Sequence, residues 1–110
     1  MPLVAAYNLR RADPLAAIEK AVRHALTSMP ELGINDHEID LVPVLAPDSF
    51  HGATTRINVD LWERDERTKE ALQQLAGRVA EAFQAVTDTS RKVKVVIRPY
   101  DVGRSGWVSR

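Results

Sequence analysis

The chain has 110 residues, enough for one hydrophobic core and too few for two. Fifteen acidic residues balance fifteen basic ones, which argues against nucleic acid as a partner, and the absence of cysteine excludes disulfides and thiol catalysis. No apolar run approaches the ~20 residues of a membrane helix, and the first charges follow the N-terminal apolar run instead of preceding it. We therefore expect a soluble, cytoplasmic protein without a membrane partner.

The N-terminal third predicts a strand followed by a helix. Residues 3–8 form a compact apolar run that is typical of a strand. Asp13 is a favoured N-cap residue and Pro14 suits the first helical position, so a helix is predicted to begin there. Apolar residues then recur at spacings of three and four, as on one helix face: Leu15, Ile18, Val22, Ala25, Leu26 and Met29. Pro30 and Gly33 are predicted to end this helix.

The middle of the chain predicts two further strands. Residues 39–46 form the second strand, and Pro43 within it predicts an edge or a bulge because proline cannot donate to a ladder. A loop follows, predicted from its turn-forming residues Pro47, Asp48, Ser49 and Gly52. Residues 56–62 then alternate between apolar and polar side chains, which predicts a half-buried third strand.

The C-terminal part predicts a second helix and a fourth strand. Asp65 is predicted to cap the helix, whose apolar stripe consists of Leu72, Leu75, Val79, Phe83 and Val86. Residues 92–98 are rich in valine and predict the fourth strand, and residues 99–110 form a tail. The element order is therefore β-α-β-β-α-β.

The two halves repeat one pattern. A shift of 53 residues carries the first strand close to the third, Arg11 onto Arg64, and the first helix onto the second. We therefore expect an α/β (α+β) fold of two fused pseudo-repeats, with a four-stranded mixed sheet and two helices on one face. The expected single domain spans 1–110, with halves at about 2–46 and 55–99 and a tail at 100–110.

The sheet face away from the helices is predicted to be apolar. Val42, Val44 and Val96 are placed on it by the period of two along a strand. Such a face is too apolar to be left in water, so we expect other subunits to bury it.

Pro2 is the first candidate catalytic residue. Removal of Met1 would leave it as a free secondary amine at the edge of a core strand. Burial and nearby arginines disfavour the charged form of an amine, which would bring its pKa towards neutrality, as proton abstraction beside a carbonyl requires. A proline at position 2 also arises by chance, so Met-Pro alone is weak evidence.

Arg11, Arg64 and Arg98 are the candidate substrate-binding residues, together with Trp62. Each arginine follows or ends a predicted strand, and a guanidinium group binds a carboxylate through two parallel hydrogen bonds. Trp62 ends the third strand, where it would form an apolar wall beside Pro2. The alternative for each arginine is a solvated surface side chain, and for the tryptophan a place in a core or an interface.

The remaining polar residues carry weaker signals. Asp36 and Asp40 flank the start of the second strand and would position a water or an ammonium group, or simply be solvated. No metal is expected, since the three histidines lack ligand spacing: His24, His37 and His51. No glycine-rich phosphate loop or serine-hydrolase elbow is present.

Together these residues resemble the tautomerase superfamily, and most closely its branch containing macrophage migration inhibitory factor. The similarity covers essentially the whole chain. The segments that carry it are Met1-Pro2-Leu3-Val4, Pro47-Asp48, Tyr100-Asp101-Val102 and Gly106-Trp107. In addition, Arg11-Ala12-Asp13 is similar to the Arg-Ser-Asp that opens the helix in the short 4-oxalocrotonate tautomerases.

The resemblance implies a homotrimer with sites at subunit contacts and no cofactor. Pro2 would move a proton between carbon and oxygen of a small keto or unsaturated carboxylic acid, Arg11 would bind the substrate carboxylate, and Trp62 and Arg64 would line the site. The pocket departs from both branches. Arg98 and Val96 stand where the cytokine branch has asparagine and tyrosine, its lysine after the first helix is missing, and Asp40 stands where the short tautomerases have arginine.

Three alternatives to a tautomerase or isomerase remain open. A superfamily hydratase or decarboxylase, of the haloacrylate dehalogenase or malonate semialdehyde decarboxylase type, is favoured if Asp36 lies close to Pro2. A non-catalytic ferredoxin-like binding or regulatory domain shares the same element order. The third alternative is a superfamily member that keeps the fold and has lost its activity.

Overall fold

A computed structural model describes residues 2–47 and 54–110 of the chain. The predicted loop residues Asp48, Ser49 and Gly52 lie outside these ranges, as does His51. The described elements are β1 (Leu3–Leu9), α1 (Leu15–Leu26), β2 (Asp40–Leu45), β3 (Thr55–Trp62), α2 (Lys69–Val86) and β4 (Val93–Tyr100). The predicted β-α-β-β-α-β order is confirmed. No helix in the described ranges is long and apolar enough to cross a membrane.

The four strands form one mixed sheet in the order β2-β1-β3-β4. β1 runs parallel to β2, with Leu3 opposite Asp40, and antiparallel to β3, with Leu3 opposite Asp60. β3 in turn runs parallel to β4, with Asp60 opposite Arg98. β2 therefore lies at an edge of the sheet, which is where Pro43 predicts it.

The core lies between one face of the sheet and the two helices. Alternate strand residues face it, as the period of two requires, and the helices contribute their apolar stripes. Fully buried side chains of this core include Val4, Ile57, Val59 and Leu61 from the strands and Ile18, Val22, Leu75, Val79 and Phe83 from the helices. Both helices therefore cover the same face, as predicted.

The opposite sheet face is open in the single chain. Val42 and Val44 of β2 are 46% and 38% exposed, and Leu3 and Tyr7 of β1 are 41% and 40% exposed. Val96 of β4 is half-buried on the same face. This face carries the apolar surface that the alternation of the strands predicts.

Strand β1 extends one residue beyond its predicted end at Asn8. Asn8 adopts a positive φ of 62°, and the register with β2 shifts between Ala6 and Leu9. The Asn8 side chain stabilises this irregularity by donating from Nδ2 to the Thr54 carbonyl at 3.0 Å. The shift returns Leu9 to the helix-covered face, where it is fully buried.

The beginning of α1 differs from its prediction. The helix starts one residue after Pro14, which is its N-cap, and no side chain caps it. Asp13 does not act as the cap because its carboxylate is committed elsewhere. It accepts the Arg10 N–H at 2.6 Å and forms two hydrogen bonds with Arg91, at 2.8 and 2.9 Å.

The beginning of α2 also lies later than predicted. Thr68, not Asp65, is its N-cap, and the Thr68 hydroxyl accepts the Ala71 N–H at 3.2 Å. Asp65 and Glu66 form a turn instead, which is closed by the Arg67 N–H donating to the Arg64 carbonyl at 2.9 Å. Asp65 therefore lies in the turn before the helix, and Thr68 provides the cap.

The ion pair between Asp13 and Arg91 joins residues 78 positions apart. Both side chains are buried, and Arg91 also donates to the Thr55 hydroxyl at 3.0 Å. The hydrogen bonds from Arg91 are the main cause that lowers the pKa of Asp13 below its ordinary value of 3.8. The pair therefore fastens the chain before α1 to the chain before β4.

We expect Asp13→Asn to destabilise the fold by about 3 kcal/mol, because it leaves the buried Arg91 guanidinium without its counter-charge. Chemical denaturation at neutral pH measures this loss. Asp36→Asn is the matched control, since its pair with Arg23 spans 3.5 Å at the surface and should cost less than ~1 kcal/mol.

The stability that the pair of Asp13 and Arg91 contributes should decrease as the pH falls. The pKa of Asp13 is lowered by folding, so its contribution is complete above the unfolded value and is lost as pH falls through the folded value. Acid unfolding of Asp13→Asn should therefore lack this component below about pH 4. Equal stability of Asp13→Asn and Asp36→Asn at neutral pH would contradict a stabilising role for the buried pair of Asp13 and Arg91.

Candidate active site

One end of the sheet brings together most of the candidate residues. β1 begins at Leu3 and β2 at Asp40, whereas β3 ends at Trp62 and β4 at Tyr100. The parallel and antiparallel pairings bring these four termini to the same end of the sheet. We call it the Pro2 end.

Pro2 is buried and precedes the first residue of a central strand. Its carbonyl accepts the Asp40 N–H at 3.0 Å, which extends the parallel ladder to Pro2 itself. Strands on both sides of β1 restrict the motion of its first residue. A group at this position is therefore held rigidly against the core, as an acid–base group requires.

Arg64 follows β3 and extends to the loop after α1. Its guanidinium group lies against Gly33, and its Nη1 is 2.6 Å from the point that a Cβ on Gly33 would occupy. Gly33 also adopts a φ of 65°, in the left-handed region. The backbone conformation therefore favours glycine at position 33, and a Cβ there would displace the Arg64 guanidinium.

Arg67 binds two backbone carbonyl groups on either side of this contact. Its Nε donates to the Leu32 carbonyl at 3.0 Å, and its Nη1 donates to the Trp62 carbonyl. Burial lowers the pKa of Arg67, and the neighbouring charge of Arg64 lowers it further. Two guanidinium groups therefore lie close together at the Pro2 end.

Glu38 is one of the acidic residues whose charge is coupled to this pair, and Glu66 also acts on Arg67. It lies in a short 3₁₀ turn, Asp36–Glu38, that leads directly into β2. A hydrogen bond from Asn35, 3.0 Å long, is the main cause that lowers the pKa of Glu38, and the charges of His37 and Arg64 contribute. The carboxylate is therefore ionised at neutral pH.

Asp36 and Asp40, the two acids that the sequence indicates, are directed elsewhere. The Asp36 carboxylate lies 3.5 Å from Nη1 of Arg23 on α1. Asp40 is exposed, opposite Leu3 in the register.

An open cleft of about 610 Å³ lies at the Pro2 end. Its walls come from the chain after β3 and the chain after β4, and its lining includes Arg64, Arg67, Thr68 and Asp101. Pro2 does not line this cleft in the single chain. Lys69 and two further acids, Glu63 and Asp65, also line it, so the cleft carries charges of both signs.

Trp62 is the centre of an aromatic cluster at the same end. Its ring meets Tyr100 edge-on, with centroids 6.3 Å apart, and is tilted against Trp107 at 6.1 Å. Trp107 remains 66% exposed. The C-terminal tail therefore folds back across the end of β3.

Arg98 is paired with an acid on the neighbouring strand. Its Nε lies 3.0 Å from Oδ1 of Asp60 and its Nη2 lies 3.4 Å from Oδ2. The hydrogen bonds with Asp60 raise the pKa of Arg98. Among the predicted arginines, Arg98 thus already has a carboxylate partner within the chain.

Arg11 lies at the other end of the sheet. It follows β1, whereas Pro2 precedes the same seven-residue strand, so the strand separates the two by roughly 20 Å. Arg11 is exposed and lies near a polar cleft of about 430 Å³, lined by Arg10, Asp13 and Arg91 among others. One chain therefore brings Pro2, Trp62, Arg64 and Arg98 to one end and leaves Arg11 at the other.

Gly33, Glu38 and Arg67 are candidate site residues that the sequence does not reveal as such. Gly33 is recognisable only as the end of a helix, and Arg67 contacts Leu32 across 35 positions of the chain. Glu38 has one signal that points to it. The shift of 53 residues places it at the position of Arg91, which contacts Thr55, the counterpart of Pro2.

The sequence matches no protein-family model and no curated protein. Solved structures do match. The F6 fused 4-OT, a wild type asymmetric trimer, has 16% identity and a TM-score of 0.77, covering 96% of this chain and 91% of that chain. FG41 malonate semialdehyde decarboxylase inhibited by 3-bromopropiolate has 17% identity and a TM-score of 0.64, covering 99% and 89%. Pt0534 inactivated by 2-oxo-3-pentynoate has 14% identity and a TM-score of 0.67, covering 96% and 89%.

These similarities define a class of fold. The chain is a fused pair of β-α-β units that shares one mixed sheet, as the fused 4-OT structures do over almost their whole length. It therefore has the fold of the tautomerase superfamily, which confirms the fold that the sequence resemblance implies.

Proposed function

We propose that this protein is a cofactor-free tautomerase or isomerase of small keto or unsaturated carboxylic acids, with the Pro2 amine as its acid–base. The observation that carries the proposal is the position of Pro2. It is buried at the start of a central strand, at the end of the sheet where two guanidinium groups lie together. The superfamily fold is consistent with this chemistry.

The proposed reaction moves one proton. Once Met1 is removed, the lone pair of the Pro2 nitrogen takes a proton from the carbon beside the substrate carbonyl. The C–H electrons form a C=C bond and the carbonyl oxygen becomes an enolate. The prolinium then returns the proton to that oxygen, or to a more distant carbon when a double bond shifts. Guanidinium groups stabilise the enolate while its charge exists.

Arg64 is our first choice for the residue that binds the substrate carboxylate. It lies at the Pro2 end and lines the open cleft, and its pair with Glu38 is electrostatic and exposed. Arg98 is a weaker choice because Asp60 already holds its guanidinium. Trp62 would shield the reacting atoms from water with the aromatic cluster that surrounds it.

Arg11 enters the proposed site only through assembly. The length of β1 separates it from Pro2 within one chain, so it would have to serve the Pro2 of a neighbouring subunit. A homotrimer would allow this and would bury the open sheet face with Val42 and Val44. The trimers described among the fused 4-OT structures support the same assembly.

A second candidate function is hydration or decarboxylation, and Glu38 is the observation that favours it. Its carboxylate is ionised and lies two residues before Asp40, whose N–H binds the Pro2 carbonyl. A carboxylate there would orient a water for addition to an unsaturated acid. Assays with malonate semialdehyde and 3-haloacrylates separate this candidate from keto–enol exchange.

We expect the protein to be a trimer in solution, because the exposed apolar residues of β1 and β2 form one continuous surface. Multi-angle light scattering at micromolar concentration should give three times the 12.3 kDa mass of the chain. A stable monomer or dimer would contradict the proposed assembly and favour the ferredoxin-like alternative.

We expect keto acids to react far better than their esters. Loss of a bidentate contact between guanidinium and carboxylate should cost on the order of 1.5–3 kcal/mol, or roughly 10–150-fold in kcat/KM. Arg64→Ala should show this loss with the acid and little change with the ester. Arg98→Ala is the matched control from the same end and should lose less. Equal rates on acid and ester would remove the arginines from the mechanism.

We expect activity to depend on the free amine of Pro2. An alanine inserted ahead of Pro2 should abolish keto–enol activity, because it converts the amine into an amide with no basic lone pair. Pro2→Ala should keep the fold and retain a little activity through a primary amine. In the wild type, activity should rise with pH through one ionisation and level off near or below neutrality. Intact mass identifies the first residue of each protein, and full activity with Met1 retained would overturn the mechanism.

A further inference from the structure

The Arg64 guanidinium packs against Gly33, and Arg67 ties together the two chain segments that carry these residues. The point that a Gly33 Cβ would occupy is 2.6 Å from Nη1, 3.4 Å from Cζ and 3.7 Å from Nη2 of Arg64. The whole guanidinium plane therefore packs against the backbone at position 33. Any side chain there would have to displace it.

Arg67 fixes the two backbone segments that carry this contact. It holds the carbonyl of Leu32, which immediately precedes Gly33, and the carbonyl of Trp62, which lies two residues before Arg64. Its own N–H closes the turn onto the Arg64 carbonyl at 2.9 Å. One planar side chain thus sets the distance between the loop after α1 and the chain after β3.

The surroundings of Arg67 disfavour its charge on balance, although Glu66 and Glu38 act in the opposite direction. Burial and the charge of Arg64 both lower the pKa of Arg67, which means that the surroundings disfavour its cation. A neutral donor would tie the same two carbonyls without repelling Arg64. Two cations held together against their repulsion form a stronger field for an anion than either alone.

We infer that Gly33 and Arg67 are positioning residues for Arg64, which hold its guanidinium in the orientation that binds the carboxylate of an acidic substrate. The inference rests on the proposed function for the role of the carboxylate. It adds two residues that touch neither the substrate nor Pro2 in this scheme.

The test compares Gly33→Ala and Arg67→Lys with wild type in steady-state kinetics on a 2-keto acid. Lysine keeps the charge but cannot hold both carbonyls in one plane. We expect KM to rise about tenfold and kcat to stay within about twofold in each variant, because ground-state binding of the carboxylate is what is lost. Gly77→Ala on α2 is the matched control, since no atom lies within 4 Å of its added Cβ, and it should behave as wild type.

Gly33→Ala and Arg67→Lys are then each combined with Arg64→Ala. In these double variants KM should rise no further than in Arg64→Ala alone, because the guanidinium group that the two residues position is absent. An equal rise in both backgrounds, or an unchanged KM in both variants, would overturn the inference. A general loss of stability would lower kcat and active fraction instead of acting on KM through Arg64 alone.

A readout independent of activity separates this inference from the proposed function. The Nε–H signal of Arg64 in ¹⁵N NMR reports the order of its side chain. If wild type turns over no keto acid, the proposed function fails. Increased mobility of Arg64 in both variants, and not in Gly77→Ala, would still support positioning. Unchanged mobility would overturn it.

Discussion

The antiparallel pairing of β1 with β3 is the constraint on which the rest of the molecule depends. Leu3 lies opposite Asp60, and this register buries Val4 and Val59 together beneath the helices. A slip of one residue would turn every core side chain to the open face, so burial fixes the register firmly. Because each half is a parallel β-α-β unit, the start of β1 must then meet the ends of β3 and β4. The proximity of Pro2 to the chain that carries Arg64 is a consequence of this pairing.

The same pairing relates the Pro2 end of the sheet to the opposite end, and the two ends now carry different residues. The shift of 53 residues places Thr55 at the counterpart of Pro2 and Arg91 at the counterpart of Glu38. Asp13 and Thr55 bind the buried Arg91 guanidinium, so the charge of Arg91 is already paired within the chain. At the Pro2 end, by contrast, Glu38 is exposed and the nearby guanidinium groups line a cleft.

Most of the fold follows from patterns that are local in the chain. The alternation over residues 56–62, the helical stripes and Pro43 in an edge strand depend on neighbours a few positions apart, and each prediction agrees with the structure. The error at the start of α1 arises because a distant partner binds the predicted cap residue. Asp13 has the local signal of a cap, but its carboxylate binds Arg91, which lies 78 positions away in the chain.

Prediction of the site from the sequence is limited by distant contacts in the same way. Residue type marks Pro2 and Arg64 as candidates, whereas the role of Arg67 depends on which carbonyls it meets, and a single sequence does not reveal those contacts.

The charges at the Pro2 end come from residues of both signs. The charge of Arg64 lowers the pKa of Arg67, whereas the charges of Glu66 and Glu38 raise it. Specific binding of an acid at this end would therefore depend on the placement of one guanidinium group and not on an excess of positive charge. Arg98 is already paired one-to-one with Asp60, which leaves Arg64 as the guanidinium group for that role in the proposed mechanism. A small acid would bind its carboxylate to Arg64 with its carbonyl end towards Pro2. The same guanidinium group would stabilise the enolate and disfavour the prolinium ion, so it would serve both binding and proton abstraction.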